Sequence, residues 1–574
     1  MLFQKNQKKI SSILRTIYKP SLNENDIDHL KDQIILIIKK FNQNNSKKKF
    51  TISEKTSLVI CYGDNVYSNQ KSSIQVFKNF FKKSLNKYFN AIHFLPFYPS
   101  SSDSGFAVKD HYKIEKRIGN WSDIKKISKS NHVMADIVIN HSSARGLWFK
   151  NFLKKKRPGK DYFLTVNSKF NTSKVVRPRD HKLLKKIDIF KKSDYLWRTF
   201  SADQIDLNFN NPSVLLRFIK IMVHLVNNGV TIFRLDAIAY LWKKNGTNCI
   251  NLKQTHEIVK LFRLITNLLN VKTIIITETN LPEKENLSYF GKNDEANWIY
   301  NFSLPPLLIH ALLFENSSYL NKWSKNLPNT KFQNSYLNFI ASHDGIGMRP
   351  TEGILNKKSL NGFLKRLKKN GSKFSYRKVQ NKTRQVYEAN ITVFDALKKS
   401  DSDPDGKFYL ERYIAAHAIM ISFEGIPAVY FNSLFGKAND EAKYVITGNN
   451  RDVNRYKWSH KNITKKLNDK NSKQSIFYQN LGKLLEIKRK QKAFHPNAKR
   501  LNINLGSKIF CYKRISLDKK QTIICITNLS TKLQYIEINK NLIKYRNLLG
   551  RKIFFTPDKK IKLDPCQTVW LSNR

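Results

Sequence analysis

From Thr56 onward, short apolar runs and amphipathic stretches alternate in a steady rhythm. β-Branched and other apolar residues crowd the runs at 58–62, 91–97, 133–139, 231–238, 273–277, 298–304, 337–341 and 426–431. Each run is the length of one strand and shows little polar alternation, which predicts strands buried on both faces. Between most of them the apolar spacing turns helical, as at 74–88, 212–227, 254–269 and 410–421. Eight buried strands alternating with helices predict an α/β protein whose parallel sheet closes into a (β/α)8 TIM barrel. An open doubly wound sheet competes with this, but no glycine-rich phosphate loop follows the first run.

Breaks in the rhythm divide the chain. Residues 1–50 read as an N-terminal helical extension, with an apolar patch at 34–38 between lysines. The catalytic barrel is expected over 51–141 and 207–490. Residues 142–206, after the third strand, form an inserted domain, and 345–401, after the seventh, a second insertion. Loops that follow barrel strands lie on the C-terminal face, so both insertions are expected over the site. Over 491–574 the pattern changes to short strands split by polar turns, at 509–512, 522–526 and 568–571, which predicts a C-terminal β-sandwich.

Hydrophobic residues at 41% and aromatics at 12% are values of a folded protein. The 103 Lys and Arg against 43 Asp and Glu give a formal charge of +60, which would attract nucleic acid or an anionic membrane. The excess is spread along the chain, with no basic patch interleaved with aromatics, so it reads as usage on solvated faces. A nucleic-acid-binding protein is the non-enzyme alternative, and predicts salt-dependent retention on DNA that Asp236→Ala leaves unchanged. Five cysteines without a close C-x-x-C pair suit buried thiols in a reducing compartment, not a zinc site or disulfide frame. No run reaches bilayer length and no signal peptide is visible, so a cytoplasmic protein with no membrane partner is expected, as monomer or homodimer.

The polar residues that interrupt the apolar runs fall at the strand ends. The third run holds Asp136 and ends in Asn140 and His141; the fourth carries Arg234 and Asp236. The fifth ends in Glu278 and the seventh leads into His343 and Asp344. Arg234 and Asp236 are two positions apart, so they share one face of their strand, where the arginine keeps the carboxylate ionised as a nucleophile. Barrel enzymes keep their chemistry at this end of the strands. Three convergent carboxyl groups suit glycosidic bond cleavage with retention, which uses one nucleophilic carboxylate and one carboxylic acid about 5 Å apart.

These four stretches, taken as a set, resemble the signature regions of the α-amylase family, glycoside hydrolase family 13, over roughly residues 55–460. The resemblance implies Asp236 as nucleophile, Glu278 as general acid/base and Asp344 as transition-state stabiliser. It further implies that Arg234 orients Asp236 and that His141 and His343 hold glucose hydroxyls. Ser102-Asp103-Ser104-Gly105-Phe106, Arg177-Pro178-Arg179 and Arg451-Asp452-Val453-Asn454-Arg455 look like the sucrose phosphorylase subgroup. There Asp103 would bind the glucosyl ring and Phe106 pack on it, Arg451 would pair with Asp103, and Arg179 would lie near phosphate.

One departure is that Glu278 is followed by Thr279-Asn280-Leu281 where the sucrose enzymes have Val-His. With Asp344-Gly345-Ile346-Gly347-Met348-Arg349-Pro350, this looks more like the glucosylglycerate phosphorylases. Arg349 would then take the acceptor's carboxylate bidentately, which neutral fructose does not need. The expectation is a retaining phosphorylase that uses an α-glucoside and inorganic phosphate, with no cofactor and no metal. A sucrose or sucrose 6-phosphate phosphorylase is the alternative, and a hydrolase or transglucosidase of the same family a more distant one.

Overall fold

The computed structural model describes residues 2–47, 50–187, 194–331, 334–379, 383–537, 544–550, 554–558 and 560–574. Its centre is a closed parallel barrel of eight strands: β1 (Leu58–Cys61), β2 (Ala91–Phe94), β3 (His132–Val138), β4 (Val230–Asp236), β5 (Ile274–Thr277), β6 (Trp298–Tyr300), β7 (Ser335–Asn338) and β8 (Ile426–Tyr430). Each strand pairs with its neighbours in sequence, and β8 returns to β1 with Leu58 opposite Ala428. All eight expected strands are present. The sixth is shorter than its apolar run because Leu304, with prolines in the next two positions, opens a helix (Leu304–Leu313) whose whole surface is buried. Proline fits a first helical turn, where backbone N–H groups lack partners in any case, so 304 belongs to the helix.

The helices form where the sequence supplies both a cap and a stripe. Helix Pro212–Asn227 has Asn211 as its cap, accepting from the Ser213 N–H at 3.0 Å, and buries Val214, Leu215, Phe218, Ile219, Met222 and Leu225. Burying a leucine- or phenylalanine-sized side chain contributes about 1.5–3 kcal/mol, so this one face outweighs any helix propensity in holding the segment on the barrel. The N-terminal helices, Leu2–Tyr18 and Glu24–Gln43, are part of the main core. Asn23 caps the second of them in a box with Asp26, and Asn42 at its far end donates to the Leu268 carbonyl at 2.9 Å. The Tyr18 ring meets Trp242, just beyond β4, edge-on at 6.2 Å.

After β3 the chain makes the strand His141–Ser143, the helix Leu147–Leu153 and a three-stranded sheet of Thr165–Val166, Asp194–Trp197 and Leu184–Ile187. Strand Gln204–Asp206 returns antiparallel to His141–Ser143. After β7 a second three-stranded sheet, of Ile346–Gly347, Arg384–Asn390 and Lys373–Lys378, sits with helix Lys357–Lys369. The C-terminal part holds a five-stranded and a three-stranded antiparallel sheet. Side chains of both, among them Ile509, Ile524, Ile536, Ile561 and Leu571, make one sandwich core. Among the described residues no helix is long and apolar enough to cross a membrane. Cys61, Cys249, Cys511, Cys525 and Cys566 are all buried and unbridged.

One buried charge pair ties the first insertion to the barrel. Lys243 Nζ lies 2.5 Å from Asp206 Oδ2 and donates to Asn140 Oδ1 at 2.9 Å, with both charged groups out of solvent. Removing one partner of such a pair leaves an uncompensated buried charge. Lys243→Met is expected to lower unfolding free energy by about 3 kcal/mol, read from urea unfolding.

Candidate active site

Strand register builds the centre of the site. Arg234 on β4 stands opposite Asp136 on β3, and Leu235 opposite Thr277 on β5, so the next pair across brings Asp236 to Glu278. The Arg234 guanidinium joins all three acids: Nη1 contacts Asp136 Oδ1 and lies 2.6 Å from Asp236 Oδ1, while Nη2 is 3.8 Å from Glu278 Oε2. Asp136 is held from behind by His93 Nε2 at 2.8 Å. Directly after Asp236, Ala237 takes a left-handed conformation (φ 50°), uncommon for a residue with a Cβ, and its N–H donates to Glu278 Oε2 at 2.9 Å. This strained turn, costing on the order of 1 kcal/mol, aims the Ala237 N–H at Glu278.

Electrostatics follows from that packing. Burial alone would raise the Asp136 carboxyl, but Arg234 and His93 outweigh it and hold it below its ordinary range. Burial pushes Asp236 up to about 8 against the pull of Arg234, with Glu278 opposing its ionisation. Glu278 is raised too, by burial first. Two interacting acids displaced in this way hold one proton between them across neutrality. Arg234 is closer to Asp236 than to Glu278, 2.6 Å against 3.8 Å, which favours the ion on Asp236 and the proton on Glu278. Burial, then Arg455 and Arg234, keep His343 far below its usual value and therefore neutral.

The third acid, Asp344, comes from the loop after β7. Its Oδ1 is 2.7 Å from Arg451 Nη1 and 3.4 Å from His343 Nε2. The His343 ring stacks on Phe106 at 4.9 Å, with planes 5° apart. His141 donates from Nε2 to the Phe106 carbonyl at 3.1 Å. Asp103 and Phe106 ride on a loop in which Asp103, Ser104 and Gly105 all have positive φ. A Cβ on Gly105 would stand 2.5 Å from the Pro96 carbonyl oxygen, so the loop folds this tightly only with glycine there.

A cavity of about 970 Å³, counting its open mouth, is lined by Asp103, Phe106, His141, Arg179, Arg234, Asp236, Glu278, His343, Asp344 and Arg451. Two expectations need correction. Asp103 is held by Arg455, whose Nη1 and Nη2 both lie 3.4 Å from Asp103 Oδ1, while Arg451 pairs with Asp344 and Glu388. Both arginines sit on one short helix, Asn450–Asn454 and its cap, and its single turn aims them in different directions. Arg349 is outside the cavity lining: Nε is 3.5 Å from Glu352 Oε1, and the guanidinium charge couples to Tyr240 and Tyr387, which do line the cavity.

Tyr240, Tyr387, Phe200, Gln204 and Glu388 belong to the cavity but were not among the residues expected. Arg179 lies over the rings of Phe200 and Tyr387, at 5.8 and 5.1 Å, so the two insertions meet across the mouth. His93 carried a legible signal, an imidazole inside an otherwise apolar strand; Tyr387 and Glu388 carried none, being on a polar strand far from the barrel pattern.

A parallel barrel with acids gathered at the C-terminal ends of its strands is the architecture of a barrel enzyme. Residues 84–349 match the family model described as Alpha amylase, catalytic domain. A glucosylglycerate phosphorylase of Escherichia coli (strain K12) is 37% identical over 92% of this chain and 93% of its own length. A sucrose phosphorylase of Agrobacterium vitis is 27% identical over 66% of this chain and 78% of its own. The crystal structure of sucrose 6F-phosphate phosphorylase from Thermoanaerobacter thermosaccharolyticum superposes with a TM-score of 0.72 at 24% identity, covering 90% of this chain and 99% of that one. The chain belongs to the α-amylase family, glycoside hydrolase family 13.

The shared proton has a thermodynamic signature. The folded protein keeps a proton on Asp236 and Glu278 at pH values where the unfolded chain has released it, so this contribution to stability falls as pH rises from about 5 towards 8. Asp236→Asn removes one of the competing acids. The stability of wild type relative to this variant is expected to drop by on the order of 1 kcal/mol per pH unit over that window, measured by urea unfolding.

Proposed function

We propose that this chain is a retaining phosphorylase that transfers glucose from an α-glucoside, best fitted to glucosylglycerate, onto inorganic phosphate. The meeting of Asp236 and Glu278 on Arg234, with Asp344 lining the same cavity of monosaccharide scale, carries the reading. Relatives named glucosylglycerate phosphorylase match over nearly the whole chain, while those named sucrose phosphorylase match less of it at lower identity, which supports the acceptor.

The cycle is a double displacement. Asp236 attacks the anomeric carbon while Glu278 delivers its proton to the departing glyceryl oxygen, leaving a covalent β-glucosyl enzyme. Asp344 and the neutral His343 bind sugar hydroxyls as positive charge develops at the ring. Phosphate then attacks from the vacated side, with the Glu278 carboxylate taking its proton, and gives α-glucose 1-phosphate with configuration kept. Arg179, at the meeting of the two insertions, supplies charge for phosphate. The five buried, unpaired cysteines suit the reducing cytoplasm.

On the acceptor side, Nε and Nη1 of Arg349 are buried without a hydrogen-bond partner among the described residues, an arrangement that an anionic ligand would relieve. Arg349 can act on a glycerate carboxylate directly or through Tyr240 and Tyr387, which line the cavity and couple to its charge. In either case Arg349→Ala is expected to raise KM for glycerate in the synthetic direction at least tenfold, on the order of one charge-assisted hydrogen bond, with KM for glucose 1-phosphate changed little. Equal changes in both would remove Arg349 from the acceptor site.

The deciding assay compares glucosylglycerate, sucrose and sucrose 6-phosphate, scoring glucose 1-phosphate with and without phosphate. Glucosylglycerate is expected to be cleaved fastest and only with phosphate; a preference for sucrose would overturn the acceptor, and phosphate-independent release of glucose the reaction. Glu278→Gln should lower kcat on glucosylglycerate by about 10²–10⁴-fold, the range for a lost general acid, while α-glucosyl fluoride, whose leaving group needs no proton, still releases fluoride. Asp236→Asn should abolish both.

A further inference from the structure

We propose that Glu388, on the second insertion, is a positioning residue that sets the Asp344–Arg451 pair, making this insertion part of the catalytic machinery as well as its cover. The inference deepens the reading of the same site as a glucosyl-transferring centre and rests on it only for the choice of substrate.

Glu388 is a buried carboxylate with two jobs. Its Oε2 accepts from Arg451 Nη2 at 2.9 Å, and its Oε1 accepts from the Gly345 N–H at 2.5 Å. Both partners are attached to Asp344: Arg451 Nη1 lies 2.7 Å from Asp344 Oδ1, and Gly345 is the next residue in the chain. Arg451 directs an aligned hydrogen bond at Glu388, and among the described residues none directs one at Asp344 Oδ1. Glu388 therefore fixes where the guanidinium stands, and Asp344 meets its charge.

The backbone is shaped for this contact. Strand Arg384–Asn390 pairs with Ile346–Gly347, placing Glu388 opposite Gly347 and Ala389 opposite Ile346. The strand presses so closely on Gly345 that a Cβ there would lie 2.5 Å from the Ala389 carbonyl oxygen and 2.9 Å from Asn390 Cα. Tyr387, the preceding residue, faces Arg179 across the mouth, so one strand joins the phosphate side of the cavity to the acid that stabilises the transition state.

The test is steady-state fluoride release from α-glucosyl fluoride in phosphate buffer, where phosphate or water turns over the glucosyl enzyme, so it reports on Glu388 whichever glucoside the enzyme naturally uses. In Glu388→Ala, kcat is expected to fall about 100-fold, the scale of a group displaced by about 1 Å, with KM within about threefold. Glu388→Gln keeps an oxygen that accepts from Arg451 and should recover most of the loss, to within about tenfold of wild type. Gly345→Ala, which forces the strand away, should reproduce the Glu388→Ala pattern with a similar split. Unchanged kcat in Glu388→Ala, equal losses in the Ala and Gln variants, or a loss confined to KM would each overturn the proposal. Wild type that releases fluoride but makes no glucose 1-phosphate would instead count against the phosphorylase reading alone.

Discussion

Arg234 carries the charge on which the site depends. A guanidinium buried at the centre of a barrel loses hydration worth several kcal/mol, which only close, well-paired anions return. Three acids surround it, and the total is more negative than one arginine can balance. The surplus is settled by one proton, and Asp136, doubly held by Arg234 and His93, is the acid least able to take it. The proton is left to Asp236 and Glu278, the pair that retaining glycoside chemistry requires to differ in charge. One ion cluster thus sets both the stability of the barrel centre and the protonation state of Asp236 and Glu278.

Around this cluster the loops add a second ring of charge. Asp103 is held by Arg455, and burial of its carboxyl is more than offset by Arg455 and then Arg451. Asp344 shares Arg451 with Glu388. Asp103 and Asp344 are each held by an arginine of the Asn450–Asn454 helix and its cap, so these loops cannot move independently without separating opposite charges. The cost is visible in the backbone, where Asp103, Ser104 and Ala237 all take positive φ beside the cavity.

The barrel was legible because its strands are buried on both faces, so their apolar runs stand out without neighbours to confirm them. The charged residues were legible for the opposite reason: Asp136, Arg234, Asp236 and Glu278 interrupt or end those runs where only a function rewards the cost. What escaped is the detail set by loop geometry. Arg451 and Arg455 are four residues apart, and no periodicity says which of them one short helical turn sends to Asp103. Glu388 is one charged residue in a polar strand, and its importance comes from a tertiary approach to Gly345 that no local pattern encodes. Arg349 follows from the chemistry an acceptor would need, but the fold leaves it out of the cavity lining, where Tyr240 and Tyr387, coupled to its charge, are found.

The excess of basic residues bears on the site through the kind of cation that is buried. The lysines dominate the surface, yet each cation in the cavity lining is an arginine: Arg179, Arg234 and Arg451. The chain itself shows why. Lys488 is fully buried against the Thr56 carbonyl, and burial drives its ammonium far below its usual range, while half-buried Lys473 is already lowered to about 8. Under comparable burial Arg451 and Arg234 stay charged, because the guanidinium is delocalised and finds carboxylates in a planar fork. A site that must keep three acids and bind anionic phosphate needs cations that do not titrate, and arginine supplies them.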